Sequence, residues 1–169
     1  MTAPAITYQQ ESLLATLRAY ISLTKPTIIL MLLVTTVPAM VVAEGGWPGT
    51  WLVIATLVGG TLSAAGANTI NCWYDRDIDK LMRRTRTRPL VTGQIQPASG
   101  LIFGISLGVG AFLFLAATTT LEAALLSLSA LLFYVFIYPM WPKRRTAQNI
   151  VIGSAPGAFP PMVGWAAAP

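Results

Sequence analysis

Asn71, Asp75 and Asp79 recur every four residues in the run Asn71-Cys72-Trp73-Tyr74-Asp75-Arg76-Asp77-Ile78-Asp79-Lys80. On a continuous helix these three side chains share one face, drifting about 40° per step and spanning roughly 12 Å. Asp77 points about 200° away from Asp75 and belongs to another surface. Three acceptor-bearing groups on one face repel one another unless a cation sits among them. Hard oxygen ligands in this number suit Mg²⁺, which takes a few carboxylates together with the oxygens of a bound phosphate. The alternative is a solvated helix at the membrane edge whose charges pair with the arginines that follow, Arg83, Arg84, Arg86 and Arg88. Asn68 and Asn71 weigh against it, because they carry the polar face back into apolar sequence, where uncompensated polar groups are costly.

The elements that must position this face are membrane spans. With 54% hydrophobic and 10% charged residues among 169, and a mean hydropathy of +0.64, the chain does not have the composition of a soluble domain, which carries about 25% charged residues. The net charge of +5 does not point to nucleic acid, because the basic residues are confined to short segments between apolar runs. The chain contains no histidine, so any metal or haem ligation by its own residues must use oxygen or the single thiol. Cys72, the only cysteine, excludes an internal disulfide.

The expected fold is an all-α integral membrane protein with about five transmembrane helices, near 27–43, 50–71, 98–117, 122–138 and 148–166. Residues 1–26 form a polar N-terminal segment in which Ser12 to Ile21 reads as a short interfacial helix. Its lack of early positive charge and of an early apolar core excludes a cleavable signal peptide. Pro26 sits at a helix start, where proline is tolerated, and Pro38 is expected to kink the first span. Gly60, Ala64 and Ala67 lie on the side of the second span that leads into Asn71 and Asp75, and are expected to admit a closely packed neighbouring helix. Pro156 and Pro160-Pro161 are expected to interrupt the fifth span.

All 11 basic residues fall in the N-terminal segment, in the loop after the second span or in the loop after the fourth, which alternate onto one side. The opposite side carries Glu44 and Glu122. By the positive-inside rule the N-terminus and the basic loops are cytoplasmic.

The stretch Asn71-Cys-Trp-Tyr-Asp75-Arg-Asp77-Ile-Asp79-Lys-Leu-Met82-Arg83-Arg84-Thr85-Arg-Thr-Arg88-Pro89-Leu90-Val-Thr-Gly93 closely resembles the first aspartate-rich motif of the intramembrane aromatic prenyltransferases, the UbiA superfamily. Within it, the run from Met82 to Leu90 is similar to the branch of protohaem IX farnesyltransferases. So are Tyr138-x-x-Trp141-x-Lys143-Arg144-x-Thr146-x-x-Asn149-Ile150-Val-Ile-Gly153 and Gly157-Ala-Phe-Pro160-Pro161-Met-Val-Gly164-Trp165-Ala166. The resemblance runs from Lys25 onward and covers the N-terminal half of a UbiA-type helical bundle, without the second aspartate-rich loop of such enzymes. It therefore implies a partial prenyltransferase domain over 27–169, with low or no activity alone.

The implied reaction transfers a farnesyl group from farnesyl diphosphate to a vinyl group of haem B, giving haem O. The resemblance implies Asn71, Asp75 and Asp79 as ligands of one Mg²⁺, with Asp75 and Asp79 as the catalytic carboxylates and Asn68 as a more distant contributor. Arg83, Arg88, Lys143 and Arg144 become candidates to clamp the diphosphate, with guanidinium groups offering paired donors. Each of these cations also has a purely topological reading as a membrane anchor. Lys25 is an anchor first and a phosphate contact second, and Tyr138 is either a site residue or an interfacial aromatic. The bilayer of a bacterial-type inner membrane and terminal-oxidase biogenesis proteins are the implied partners.

Two rival readings stand beside this one. A sister enzyme of the superfamily would use a quinone precursor or chlorophyllide as acceptor. A non-catalytic membrane subunit or cation pathway would need polar residues deep in several spans, whereas here they crowd one end of one span.

Overall fold

The computed structural model describes residues 12–137 and 155–168. Among these the chain is helical, with no strand: α1 (Leu13–Thr24), α2 (Pro26–Glu44), α3 (Thr50–Tyr74), the short turns α4 (Arg76–Asp79) and α5 (Pro89–Thr92), α6 (Pro97–Thr118), α7 (Leu121–Leu132) and α8 (Phe159–Ala167). A π-helical turn, Phe133–Ile137, extends α7, and a 3₁₀ turn, Ala155–Ala158, leads into α8. The chain is an integral membrane protein of all-α architecture: α2, α3 and α6 are each long and apolar enough to cross a bilayer. The apolar stretch Leu121–Ile137 is shorter, and α8 is the described part of the fifth hydrophobic segment.

Local sequence explains the helix ends. Pro26, Pro89 and Pro97 stand in the first turns of α2, α5 and α6, where an amide proton is not needed. Pro160 and Pro161 stand in the first turn of α8, and Pro156 lies in the 3₁₀ turn before it, so the α-helix of the fifth segment is described only from Phe159; the rest of that expected span, 148–154, lies outside the described residues. α2 runs on through Pro38. Ser12 caps α1 by accepting from the Ala15 amide at 3.3 Å. Thr120 caps α7 by accepting from the Ala123 amide at 3.1 Å, and its hydroxyl also donates to the Ala166 carbonyl at 2.6 Å, tying α7 to α8.

The central helix is α3, which contacts α1, α2, α6, α7 and α8. Its tightest neighbour is α6, which buries Gly100, Gly104, Gly108, Ala111 and Leu115 along one stripe. A Cβ on Gly66 would lie 2.8 Å from the Gly104 carbonyl oxygen and 2.9 Å from the Gly108 nitrogen, so only the absence of a side chain lets these backbones meet. The expected small-residue contact at Gly60, Ala64 and Ala67 is different in kind. These residues line a cavity of about 430 Å³ bounded by α2, α3, α7 and α8. Small side chains on that face leave space, and the close helix approach falls on the face carrying Gly66.

α1 packs over the same end of α3 that bears the acidic residues. Ala19 and Leu23 join Cys72, Leu90 and Ile95 in a buried cluster, with Tyr20 and Trp73 against it. Tyr20 meets Phe103 edge-on, with ring centres 4.9 Å apart. Leu13, Leu14, Leu17 and Ile21 remain exposed on the other side.

Candidate functional site

The acidic face forms because the helical hydrogen-bond ladder hardly breaks where α3 ends. The Asp75 amide donates to the Asn71 carbonyl at 3.0 Å, and the Asp79 amide donates to the Asp75 carbonyl at 2.8 Å. The four-residue spacing therefore becomes a shared direction, and it points inward. Asn71, Asp75 and Asp79 are 4%, 1% and 4% exposed. Asp77 is exposed, as its angular position requires.

Burying two carboxylates needs compensation, and cations supply it from two directions. Arg88 donates through Nη1 to Asp79 Oδ2 at 2.5 Å. The loop is folded back to make this pair: Thr85, itself buried, donates its hydroxyl to the Asp79 carbonyl at 3.2 Å. Pro89 and Leu90 of α5 are buried as well. On the other side Lys25 Nζ donates to Asn71 Oδ1 at 3.4 Å, from the elbow between α1 and α2. Asn68 Nδ2 donates to the Thr24 carbonyl at 2.9 Å, fastening that elbow to α3.

Between Asp79 and Arg88 the expected charge pairing of acidic helix and arginines takes the form of a buried contact and not a solvated one. Arg83, Arg84 and Arg86 are exposed, and Arg83 makes no hydrogen bond or ion pair among the described residues. Arg76 turns to its own helix end, donating to the Trp73 carbonyl at 2.9 Å and stacking over the Trp73 ring. Lys143, Arg144, Arg145 and Tyr138 lie outside the described residues.

No three His, Cys, Asp or Glu side chains gather as metal ligands among the described residues. The face offers two carboxylates and one carboxamide. That set still fits a hard divalent ion, which commonly takes one or two carboxylates and completes its shell with phosphate oxygens and water. A further observation points the same way. Asn71 Nδ2 is buried with no hydrogen-bond partner among the described residues, an unspent donor of the kind that calls for an explanation. A phosphate oxygen at this face would accept from it.

The cavity begins one turn of α3 away. Asn68 is one of its polar lining residues, and Ile29, Leu32, Leu33, Leu131 and Val163 are among its apolar walls. Ligand pockets of about 300–1,000 Å³ hold molecules of drug-like size, so an apolar tail of several isoprene units is in range. A cation-flanked acidic patch thus follows, on the same helix, the stretch that lines an apolar hollow, an order that matches an amphiphile with an anionic head.

Lys25 and Thr85 are the residues that spacing alone did not assign to this face. Lys25 adjoins Pro26 at a span start, a pattern that signals anchoring, and Thr85 sits in a run of arginines that signals topology. No local periodicity links either to Asp79 or Asn71.

The UbiA prenyltransferase family model matches residues 32–169. A protein named protoheme IX farnesyltransferase from Clavibacter sepedonicus is 54% identical over 150 residues, covering 89% of this chain and 49% of that protein. Protoheme IX farnesyltransferase 1 of Saccharopolyspora erythraea is 53% identical over 165 residues, covering 98% of this chain and 52% of that protein. The chain spans about half the length of the curated relatives it matches. No solved structure matches it.

Proposed function

Because the chain belongs to the UbiA prenyltransferase family, we propose that it forms the diphosphate-binding part of an enzyme that transfers a farnesyl group from farnesyl diphosphate to haem B, giving haem O. The acceptor and donor are taken from the names of relatives such as the Clavibacter sepedonicus and Saccharopolyspora erythraea proteins. The single observation that carries the proposal is the inward-facing set Asn71, Asp75 and Asp79, buried beside Arg88 and Lys25 on the helix whose preceding turn, at Asn68, lines an apolar cavity.

In the proposed reaction the allylic C–O bond of farnesyl diphosphate breaks, its electron pair leaving on the diphosphate oxygen. The vinyl π electrons of haem B form the new C–C bond, and a water molecule adds to the cation left on the adjacent vinyl carbon and loses a proton, which gives the hydroxyl of haem O. Asp75 and Asp79, with Asn71, would hold Mg²⁺, which when bound supplies the positive charge that stabilises the departing diphosphate. Arg88 keeps N–H groups beyond the one spent on Asp79 and offers them to phosphate oxygens. Lys143 and Arg144 are proposed as further phosphate contacts, and Arg83 would have to turn inward to act as one. The walls around Leu32, Leu33 and Leu131 would take the farnesyl tail and keep water from the allylic cation.

We further place the N-terminus and the basic loops on the cytoplasmic side of a bacterial-type inner membrane, on the strength of the one-sided distribution of all 11 basic residues. Association with terminal-oxidase biogenesis proteins is proposed from the same function.

The test is to supply haem B, farnesyl diphosphate and Mg²⁺ to the chain co-reconstituted with the C-terminal half of the Clavibacter sepedonicus relative, and to assay haem O by mass. Haem O formation is expected, and Asp75→Asn should lower turnover at least about a hundredfold. Full turnover in Asp75→Asn would refute the assignment of the acidic face, and prenylation of a quinone precursor in place of haem B would reassign the acceptor.

A further inference from the structure

We infer that Lys25 is an exchanging counter-cation: its ammonium holds the Asn71 carboxamide oxygen until a divalent ion arrives with a diphosphate, then passes to a phosphate oxygen and frees Asn71 for the metal. The inference rests on the reading that this face takes a metal diphosphate, and it goes further by giving one residue two successive partners.

The backbone at Lys25 is the first indication. Its φ of 55° and ψ of 66° put it in the left-handed region, and it is the only residue other than glycine with positive φ among the described residues. A side chain in that conformation carries a steric cost that glycine does not. The backbone role of the position is generic. Its amide donates to the Ser22 carbonyl to finish α1, and its carbonyl accepts from Ile28 and Ile29 to start α2. Glycine would do both. A non-glycine residue held there invites a functional account, and the side chain provides one by reaching across 46 positions of sequence to Asn71.

The second indication is the chemistry of that contact. Asn71 Oδ1 is the only atom of its carboxamide that can ligate a metal, and it is the atom Lys25 holds. The other half of the same amide, Nδ2, is buried with no hydrogen-bond partner among the described residues. The carboxamide is therefore half used, with a donor that a phosphate oxygen would satisfy. The Lys25 contact with Asn71, at 3.4 Å, is at the long edge of hydrogen bonding.

The third indication is the contrast with Arg88. Its guanidinium holds Asp79 at 2.5 Å, and its planar fork can keep that bond while other N–H groups meet phosphate. An ammonium is a compact charge with rotatable donors on a flexible stem. Of the two cations flanking the face, Lys25 is the one whose charge can turn from one acceptor to another by rotation of its own stem.

The consequence is a pair of effects with opposite signs. Removing the ammonium relieves competition for Asn71 Oδ1, so a divalent ion alone should bind more tightly. The same change removes a phosphate contact, so metal diphosphate should bind more weakly. Lys25→Gly is the chosen variant, because glycine is at ease in the left-handed region and the elbow should keep or raise its thermal unfolding midpoint. The full chain is placed in lipid nanodiscs and titrated with Mn²⁺ alone, followed by electron paramagnetic resonance, and then with inorganic diphosphate at saturating Mn²⁺.

Relative to the unsubstituted chain, Lys25→Gly should bind Mn²⁺ about threefold to tenfold more tightly and diphosphate about tenfold more weakly. Lys25→Arg should recover most of the diphosphate affinity. Unchanged affinity for both probes would make Lys25 an anchor only and overturn the inference. Weakening of both would make it a structural prop and overturn the inference equally. If the unsubstituted chain binds neither probe, the assignment of the acidic face to a metal diphosphate fails first, and the inference with it.

Discussion

Asp79 and Arg88 form the contact by which the loop after α3 reports on the acidic face. The pair is mostly buried, with side-chain exposures of 5% and 21%, so removing one partner leaves the other poorly compensated. Asp79→Asn and Arg88→Gln are each expected to destabilise the protein by about 2 kcal/mol, and the double substitution by clearly less than the sum. Thermal unfolding of the four proteins in detergent measures the coupling, and strict additivity would show that the two side chains do not act as a pair. The face itself was legible in the sequence because it depends on one local quantity, the four-residue spacing of Asn71, Asp75 and Asp79. The cations around it were less so. Arg88 reaches Asp79 only after Thr85 turns the loop under the Asp79 carbonyl, and Lys25 reaches Asn71 only through the packing of α1 on α3. Both are tertiary events that no window of neighbouring residues contains.

Among the elements, hydropathy revealed where the long helices lie, since α2, α3 and α6 fall where apolar runs of sufficient length occur. Which face of α3 meets which neighbour was not legible in the same way. Gly60, Ala64 and Ala67 look like a packing stripe, and so does Gly66 with the Gly100-Gly104-Gly108 series of α6; small size permits either contact or empty space. The partner decides. Gly66 faces backbone, and a methyl there cannot be relieved by rotating a side chain. Gly60 faces the flexible end of Leu33, 3.6 Å from an added Cβ. Gly66→Ala should therefore cost about 1–3 kcal/mol by forcing α3 and α6 apart, while Gly60→Ala should be near neutral. The midpoints of thermal unfolding in detergent check both, and equal effects would mean that the α3–α6 approach does not govern stability.

Among the described residues, the alternation of α2, α3 and α6 places α1 and the α3–α6 loop on one side, opposite Trp47 and Glu122. The side shared by the N-terminal segment and the loop after α3 could be read from their basic residues, whereas the cavity depends on four helices converging and could not be read from any of them singly. With a membrane-impermeant maleimide applied to sealed right-side-out vesicles, Trp47→Cys should label and Arg84→Cys should label only after lysis; the native Cys72 is buried and contributes little background. Labelling of both without lysis would overturn the proposed orientation. The length of α3 carries one more implication. Its 25 residues extend about 37 Å, against roughly 30 Å for the hydrocarbon core, so its last turns stand at headgroup depth while the hollow beside Gly60 stays among the acyl chains. The amphiphilic donor proposed above, floating in the leaflet, would have its anionic end and its tail at those same two heights. It can arrive by sideways diffusion without first being lifted into water, and its density per unit area of lipid, more than its bulk concentration, would then set the rate of encounter.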